Sequence, residues 1–177
     1  MKAVGDMNRV ELAAYVGAEF EKRRIHVVLS GGSCVSVYSD DRYVSMDLDF
    51  VNAGLVKRSR IREAMEHLGF VEDHRYFRHP ETPLLVEFPP GPLGVGDEPV
   101  RQIDKIQTST GIFRILSPTD CVKDRLAGYY HWSDLQCLEQ AILVTRCQSV
   151  DLTEIERWSI NEKCATRFED YRRQLFH

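Results

Sequence analysis

The chain has 177 residues, 43% hydrophobic and 28% charged, a globular balance that fits one domain with a real core or a small domain plus a helical appendage. A net charge of -4 and a pI of about 5.9 give no global field for non-specific nucleic-acid binding, although a local basic patch stays open. Five scattered cysteines without a CxxC pair exclude a disulfide framework or zinc ribbon and read as reduced thiols of a cytoplasmic protein, and without an 18-residue apolar window or a signal core no membrane partner is expected.

In chain order, Asn8 to Arg24 carry apolar residues at helical spacing, which predicts the first helix. "IHVVLS", Ile25 to Ser30, is a continuous β-branched run suited to a buried strand, ended by Gly31 and Gly32. "SCVSVYS" predicts a short helix capped by Ser33. Asp40 to Arg42 form a turn, and "YVSMDLDFV", Tyr43 to Val51, reads as the second strand. Lys57 to Leu68 form an amphipathic helix stopped by Gly69. Phe70–Val71 and Tyr76–Arg78 suggest short strands around a turn, and "PLLVEF", Pro83 to Phe88, a strong one. The Pro/Gly-rich "PPGPLGVGDEP" predicts a loop without regular structure. "RQIDKIQ" and "IFRIL" flank Ser109, Thr110 and Gly111 as a hairpin. Four helices should follow: Ser117 to about Tyr130, about Ser133 to Cys147, one opened by a capping box at "DLTE" from Asp151, and one over roughly Glu162 to Leu175. The expected fold class is α+β, with a small mixed sheet and flanking helices over residues 1–116 and a helical segment over 117–177.

The chemistry centres on "MDLDF". Residues two apart on a strand share a face, so Asp47 and Asp49 lie together, ~6.5–7 Å apart at Cα, while Met46, Leu48 and Phe50 face the other way. Two such carboxylates resist ionisation unless a cation joins them, and hard oxygen ligands suit Mg²⁺ or Mn²⁺. The plain alternative is a strand with one wet face. Just upstream, the Gly31-Gly32-Ser33 turn offers backbone N–H groups and a following helix N-terminus to an anion, or is simply a turn. A phosphate cradle followed by a metal-binding acid pair is what nucleotidyl or phosphoryl transfer from a nucleoside triphosphate requires. Glu87, an acid within an apolar strand where an unpaired charge is expensive, is the best third ligand; the alternative is a strand-end Glu paired with an Arg. "KRSRIR", Lys57 to Arg62, is either a guide for a phosphate-bearing substrate or a solvated helix face. "GPLGVG" lacks the Lys-Ser/Thr of a P-loop and is expected to be a mobile loop able to cover the site.

The order "LSGGS", "MDLDF" and "VEF" resembles the nucleotidyltransferase superfamily, best known from DNA polymerase beta. That resemblance implies that Gly31, Gly32 and Ser33 bind the nucleotide phosphates and that Asp47, Asp49 and Glu87 bind the metal ions. Within the superfamily, the doubled glycine and helical tail look most like AbiEii-type toxins of type IV toxin–antitoxin and phage-defence systems. Those have a Lys on a helix after the sheet and an acid on the next helix, roles carried here by Lys123 and Asp134, with a solvated Lys and a helix-start acid as the alternatives. The expected activity is metal-dependent transfer of a nucleoside monophosphate to a hydroxyl of tRNA, a protein or a small molecule, with a cognate antitoxin as a further partner. The competing expectation is a non-catalytic nucleotide- or partner-binding member of the same fold. The sequence departs from the family pattern in placing Met46 directly before the acids, with Ser45 one residue further back, and in having "HWSDLQCLEQA" where an "RDxxDL"-like stretch is expected.

Overall fold

The computed structural model describes residues 2–176. Its first long helix, α1 (Arg9–Lys22), is opened by a full capping box, in which the Asn8 side chain accepts from the Glu11 N–H and the Glu11 carboxylate accepts from the Asn8 N–H. Strand β1 is only Val28–Ser30, shorter than expected, because the Ile25 N–H bonds back to the Phe20 carbonyl and Arg24 takes a left-handed turn at φ 57°. Helix α2 is Gly31–Tyr38, and its N-cap position is Ser30; Ser33, the expected cap, lies within the first turn and is fully buried.

Strand β2 is Asp47–Val51. The stretch expected to begin it, Tyr43 to Met46, gives two backbone N–H groups to α2 and its end instead of to a strand: Tyr43 N–H to the Ser39 hydroxyl and Ser45 N–H to the Ser36 hydroxyl. Helix α3 (Arg58–His67) follows, then β3 (Val71–Asp73), β4 (Tyr76–His79) and β5 (Thr82–Glu87). The Pro/Gly loop is not wholly irregular. It holds a small separate hairpin, β6 (Gly94–Val95) with β7 (Glu98–Pro99). The expected hairpin is β8 (Ile103–Gln107) with β9 (Ile112–Leu116).

Seven strands form one mixed sheet in the order β3-β4-β5-β2-β1-β9-β8. β1 runs antiparallel to β2 and parallel to β9, and β2 runs parallel to β5. Burial along β2 alternates, with Leu48 and Phe50 fully buried and Asp47, Asp49 and Val51 partly open, as one packed and one polar face require. On the packed face Phe88 stacks on both Phe20 of α1 and Phe50, at 4.9 and 5.9 Å between ring centroids. Each such ring contributes roughly 1.5–3 kcal/mol by leaving water.

The tail comprises α4 (Pro118–Trp132), α5 (Leu135–Cys147), α6 (Leu152–Asn161) and α7 (Ala165–Leu175). Ser117 caps α4 by accepting the Asp120 N–H. At α6 the box is half made. Asp151 accepts from the Glu154 N–H, but the Asp151 N–H goes to the Thr119 hydroxyl. α4 and α5 pack closely on each other and on α2. The fully buried Trp158 of α6 donates to the Val95 carbonyl at 3.2 Å, which ties the small hairpin to the tail. Among the described residues no helix is long and apolar enough to cross a membrane, and all five cysteines are free thiols.

Candidate active site

The sheet register places the acids in one row. Ser30 of β1 pairs with Asp49 of β2, Asp49 with Glu87 of β5, and Glu87 with Tyr76 of β4. Directly paired residues point to the same face, so this row of four faces the side opposite the phenylalanine cluster. Asp47, two residues before Asp49, joins it. One carboxylate oxygen from each of Asp47, Asp49 and Glu87 lies within 4.8 Å of the others. Glu87 of β5 therefore stands directly across from Asp49 of the acid pair.

Each acid is held differently. The Ser45 hydroxyl, itself buried, donates to Asp47 Oδ1 at 2.6 Å. Asp49 is positioned through its backbone: its N–H donates to Ser33 Oγ at 3.1 Å, and the same hydroxyl donates to the Ser30 carbonyl at 2.8 Å. Ser33 thus clasps β1 to β2, and its side chain is occupied rather than offered to a phosphate. Gly31 stands against Asp49 with φ +62°; a Cβ there would come within 2.6 Å of Asp49 Oδ2. Gly32 lies beside Tyr43 and Ser45, 3.3 Å and 3.4 Å from where its Cβ would be. No side chain caps the first turn of α2, whose N-terminal residues therefore adjoin the acids as backbone. Glu87 meets the exposed Arg75 guanidinium at 3.7 Å, so the Glu–Arg pairing that competed with a ligand role is present as well.

Burial first, and then the charges of Asp47 and Glu87, push the Asp49 carboxyl up from 3.8 to about 7. Arg125 of α4 acts against this rise. Three hard oxygen donors that repel one another in a partly desolvated site form a donor set that a divalent cation fits.

The two residues suggested by the helical tail lie differently. Lys123 is buried, and its ammonium contacts Glu154 at 2.7 Å and Asp120 at 3.3 Å, not the acid group. It lines a separate polar cleft with Arg101, Ser117 and Asp151. Asp134 caps α5, accepting from the N–H groups of Gln136 and Cys137, as the helix-start alternative requires. Arg125, bound to Asp124 at 2.6 Å and to Gln140 at 3.3 Å, is the tail cation that lowers the Asp49 carboxyl, an effect that Asp124 opposes. Sequence reasoning missed Arg125 and the supporting hydroxyls of Ser36 and Ser45. The alternation Ser45, Asp47, Asp49 was the signal for the last; nothing in the sequence singled out Arg125 over Lys123.

No protein-family model matches the sequence, and no curated protein matches it. Among solved structures the chain is similar to ANT(2'')-Ia, an aminoglycoside nucleotidyltransferase. A solution structure of this antibiotic-resistance factor shares 14% identity and a TM-score of 0.49, with 92% of each chain covered. A crystal structure of its complex with adenylyl-2''-tobramycin shares 14% identity and a TM-score of 0.50 over 90% of this chain and 94% of that one. The likeness is one of fold: the α+β architecture expected from the sequence is shared with that crystal structure.

Proposed function

We propose that the chain is a divalent-metal-dependent nucleotidyltransferase. The observation that carries this reading is the convergence of Asp47, Asp49 and Glu87 within 4.8 Å, beside the uncapped first turn of α2. In the reaction, an acceptor hydroxyl oxygen attacks the α-phosphorus of a nucleoside triphosphate. A P–O bond forms to the acceptor, the bond to the β-phosphate bridge breaks, and pyrophosphate leaves. Asp47 and Asp49 would hold Mg²⁺ or Mn²⁺, with Glu87 as third ligand. A bound cation supplies neutralisation of the charge that builds on the phosphates. Ser45 fixes Asp47, Ser33 fixes Asp49, and the backbone of Gly31, Gly32 and Ser33 receives the triphosphate. Glu87, on the β5 side of the acid pair, takes the acceptor proton. Lys123 and Asp134 serve the tail's architecture, and Arg75 provides the nearby positive charge.

The acceptor class supported best is a hydroxylated small molecule. The structural neighbour was crystallised with adenylyl-2''-tobramycin. In addition, Arg58 and Arg62 of the basic run share Glu72, which lowers, without cancelling, the positive charge that run offers a nucleic acid. The AbiEii-like alternative, transfer to tRNA or protein in a toxin–antitoxin setting, draws on one feature. Trp132 and Leu135 at the α4–α5 turn are 77% and 66% exposed, a place for a protein partner such as an antitoxin.

The test is transfer from α-labelled nucleoside triphosphates with Mg²⁺ or Mn²⁺, first to an aminoglycoside panel and then to cell extract. Label should move to a small molecule and stop in Asp47→Ala and Asp49→Ala. Undiminished transfer in those variants would remove the acids from the mechanism, and absence of transfer to every acceptor would favour the non-catalytic binder.

A further inference from the structure

The tip of the β3–β4 hairpin is held against the acid row by one residue of the basic run. Arg58 donates from Nε to Glu72 at 2.8 Å, from Nη1 to the Phe88 carbonyl at 3.4 Å and from Nη2 to the Arg75 carbonyl at 3.2 Å. Its guanidinium also sits 4.8 Å over the Phe77 ring. The Arg75 backbone is therefore fixed while its side chain reaches into solvent. That side chain is 68% exposed and is held by two contacts, the Tyr76 ring and hydroxyl beneath it and Glu87 Oε1 at 3.7 Å.

We infer that Arg75 is the resident counter-cation of the acid cluster and that a divalent cation must displace it from Glu87 to bind. This inference rests on the metal-site reading above and deepens it. Three clustered carboxylates need positive charge, and Arg75 supplies it from an anchored backbone through a long, solvated side chain. Among the described residues Arg75 contacts one of the three acids, Glu87, and makes no ion pair with Asp47 or Asp49, so it balances the cluster without filling it. Loss of Glu87 as a partner leaves Arg75 stacked on Tyr76, a few ångströms away and free for an anionic group of the substrate.

The experiment is Mn²⁺ titration by calorimetry, without nucleotide, on the wild type, Arg75→Ala, Arg75→Lys and Asp47→Asn/Asp49→Asn. Removing a cation at this distance should tighten Mn²⁺ binding by roughly three- to tenfold in Arg75→Ala, an effect that shrinks at high salt. Arg75→Lys should stay near wild type. In a Mg²⁺ titration the Arg75 Nε–H signal should shift as the metal saturates. Equal or weaker Mn²⁺ binding by Arg75→Ala, or Arg75→Lys binding as tightly as Arg75→Ala, would overturn the counter-cation role while leaving the metal site intact. Wild type that binds no Mn²⁺, or an Asp47→Asn/Asp49→Asn variant that binds it equally well, would overturn the metal site and this inference together.

Discussion

The sharpest consequence of the site is that Asp49 weakens the fold it belongs to. Its carboxyl is pushed from 3.8 to about 7 by burial and by Asp47 and Glu87. A carboxyl whose folded pKa lies above its unfolded value binds more protons when folded. Its stability contribution is complete below pH 3.8, is lost as pH rises to about 7, and stays lost above. Each pH step between the two values is worth about 1.4 kcal/mol, so the full ionisation penalty is about 4 kcal/mol. Asn keeps the shape and the burial without the charge, and its amide still needs partners. The expected gain for metal-free Asp49→Asn is therefore about 2–4 kcal/mol at pH 8, or roughly 5–15 °C in Tm for a chain of this size.

The assay is urea and thermal unfolding in EDTA between pH 4 and 8. The advantage of Asp49→Asn should be near zero at pH 4, grow to about pH 7 and then level off. Saturating Mn²⁺ should stabilise the wild type by binding its folded state and leave the variant unmoved, narrowing or reversing the gap. Equal stability of the two proteins in EDTA at pH 8 would refute the argument. So would a gap of constant size across the pH range, which would point to packing rather than charge.

Other outcomes follow from single contacts. Gly31→Ala places a Cβ 2.6 Å from Asp49 Oδ2 at φ +62°; it should destabilise by about 1–3 kcal/mol and abolish transfer, as read by unfolding and turnover together. Ser45→Ala removes the 2.6 Å hydrogen bond to Asp47; a loss of about 1 kcal/mol in holding that acid should weaken Mn²⁺ binding severalfold in calorimetry, with Tm changed little. In acid the sign reverses elsewhere. The Arg157 hydrogen bonds lower Glu154 and Glu98 from 4.5 to about 2, so their contribution is present above pH 4.5 and lost as pH falls towards 2. Because these pairs are partly solvated, about 1–2 kcal/mol in total is expected, measured as a falling urea midpoint from pH 5 to 3 that Arg157→Ala flattens; an unchanged slope in that variant would exclude the pairs as its cause.

The legible parts of the sequence were those with short-range physical causes. Alternation of acid and apolar residues in "DLDFV" identified β2, and an acid inside "LLVEF" identified Glu87. What could not be read is pairing. Nothing local says that β2 lies parallel to β5 with Asp49 opposite Glu87, or that β1 returns antiparallel so that Ser30 meets Asp49. Tyr43 to Met46 has strand composition, yet serine hydroxyls take its N–H groups. Lys123 and Arg125 stand two residues apart on one helix. Contact with Glu154, 31 residues onward, decides that Lys123 is neutralised in the tail, as contact with its neighbour Asp124 does for Arg125.

The two faces of β2 explain why such a costly cluster can exist. Leu48 and Phe50 are fully buried, and Phe50 stacks on Phe88, which also stacks on Phe20, beneath the sheet. Burial of these side chains contributes roughly 1.5–3 kcal/mol each, more in sum than the penalty at Asp49. Because alternate residues of one strand face opposite ways, the side chains that fix its height are the immediate neighbours of the acids. The aromatic face therefore holds Asp47 and Asp49 in place when repulsion alone would spread them. On the proposed reading, the repulsion that this face holds in place is what gives a divalent ion its advantage over Arg75.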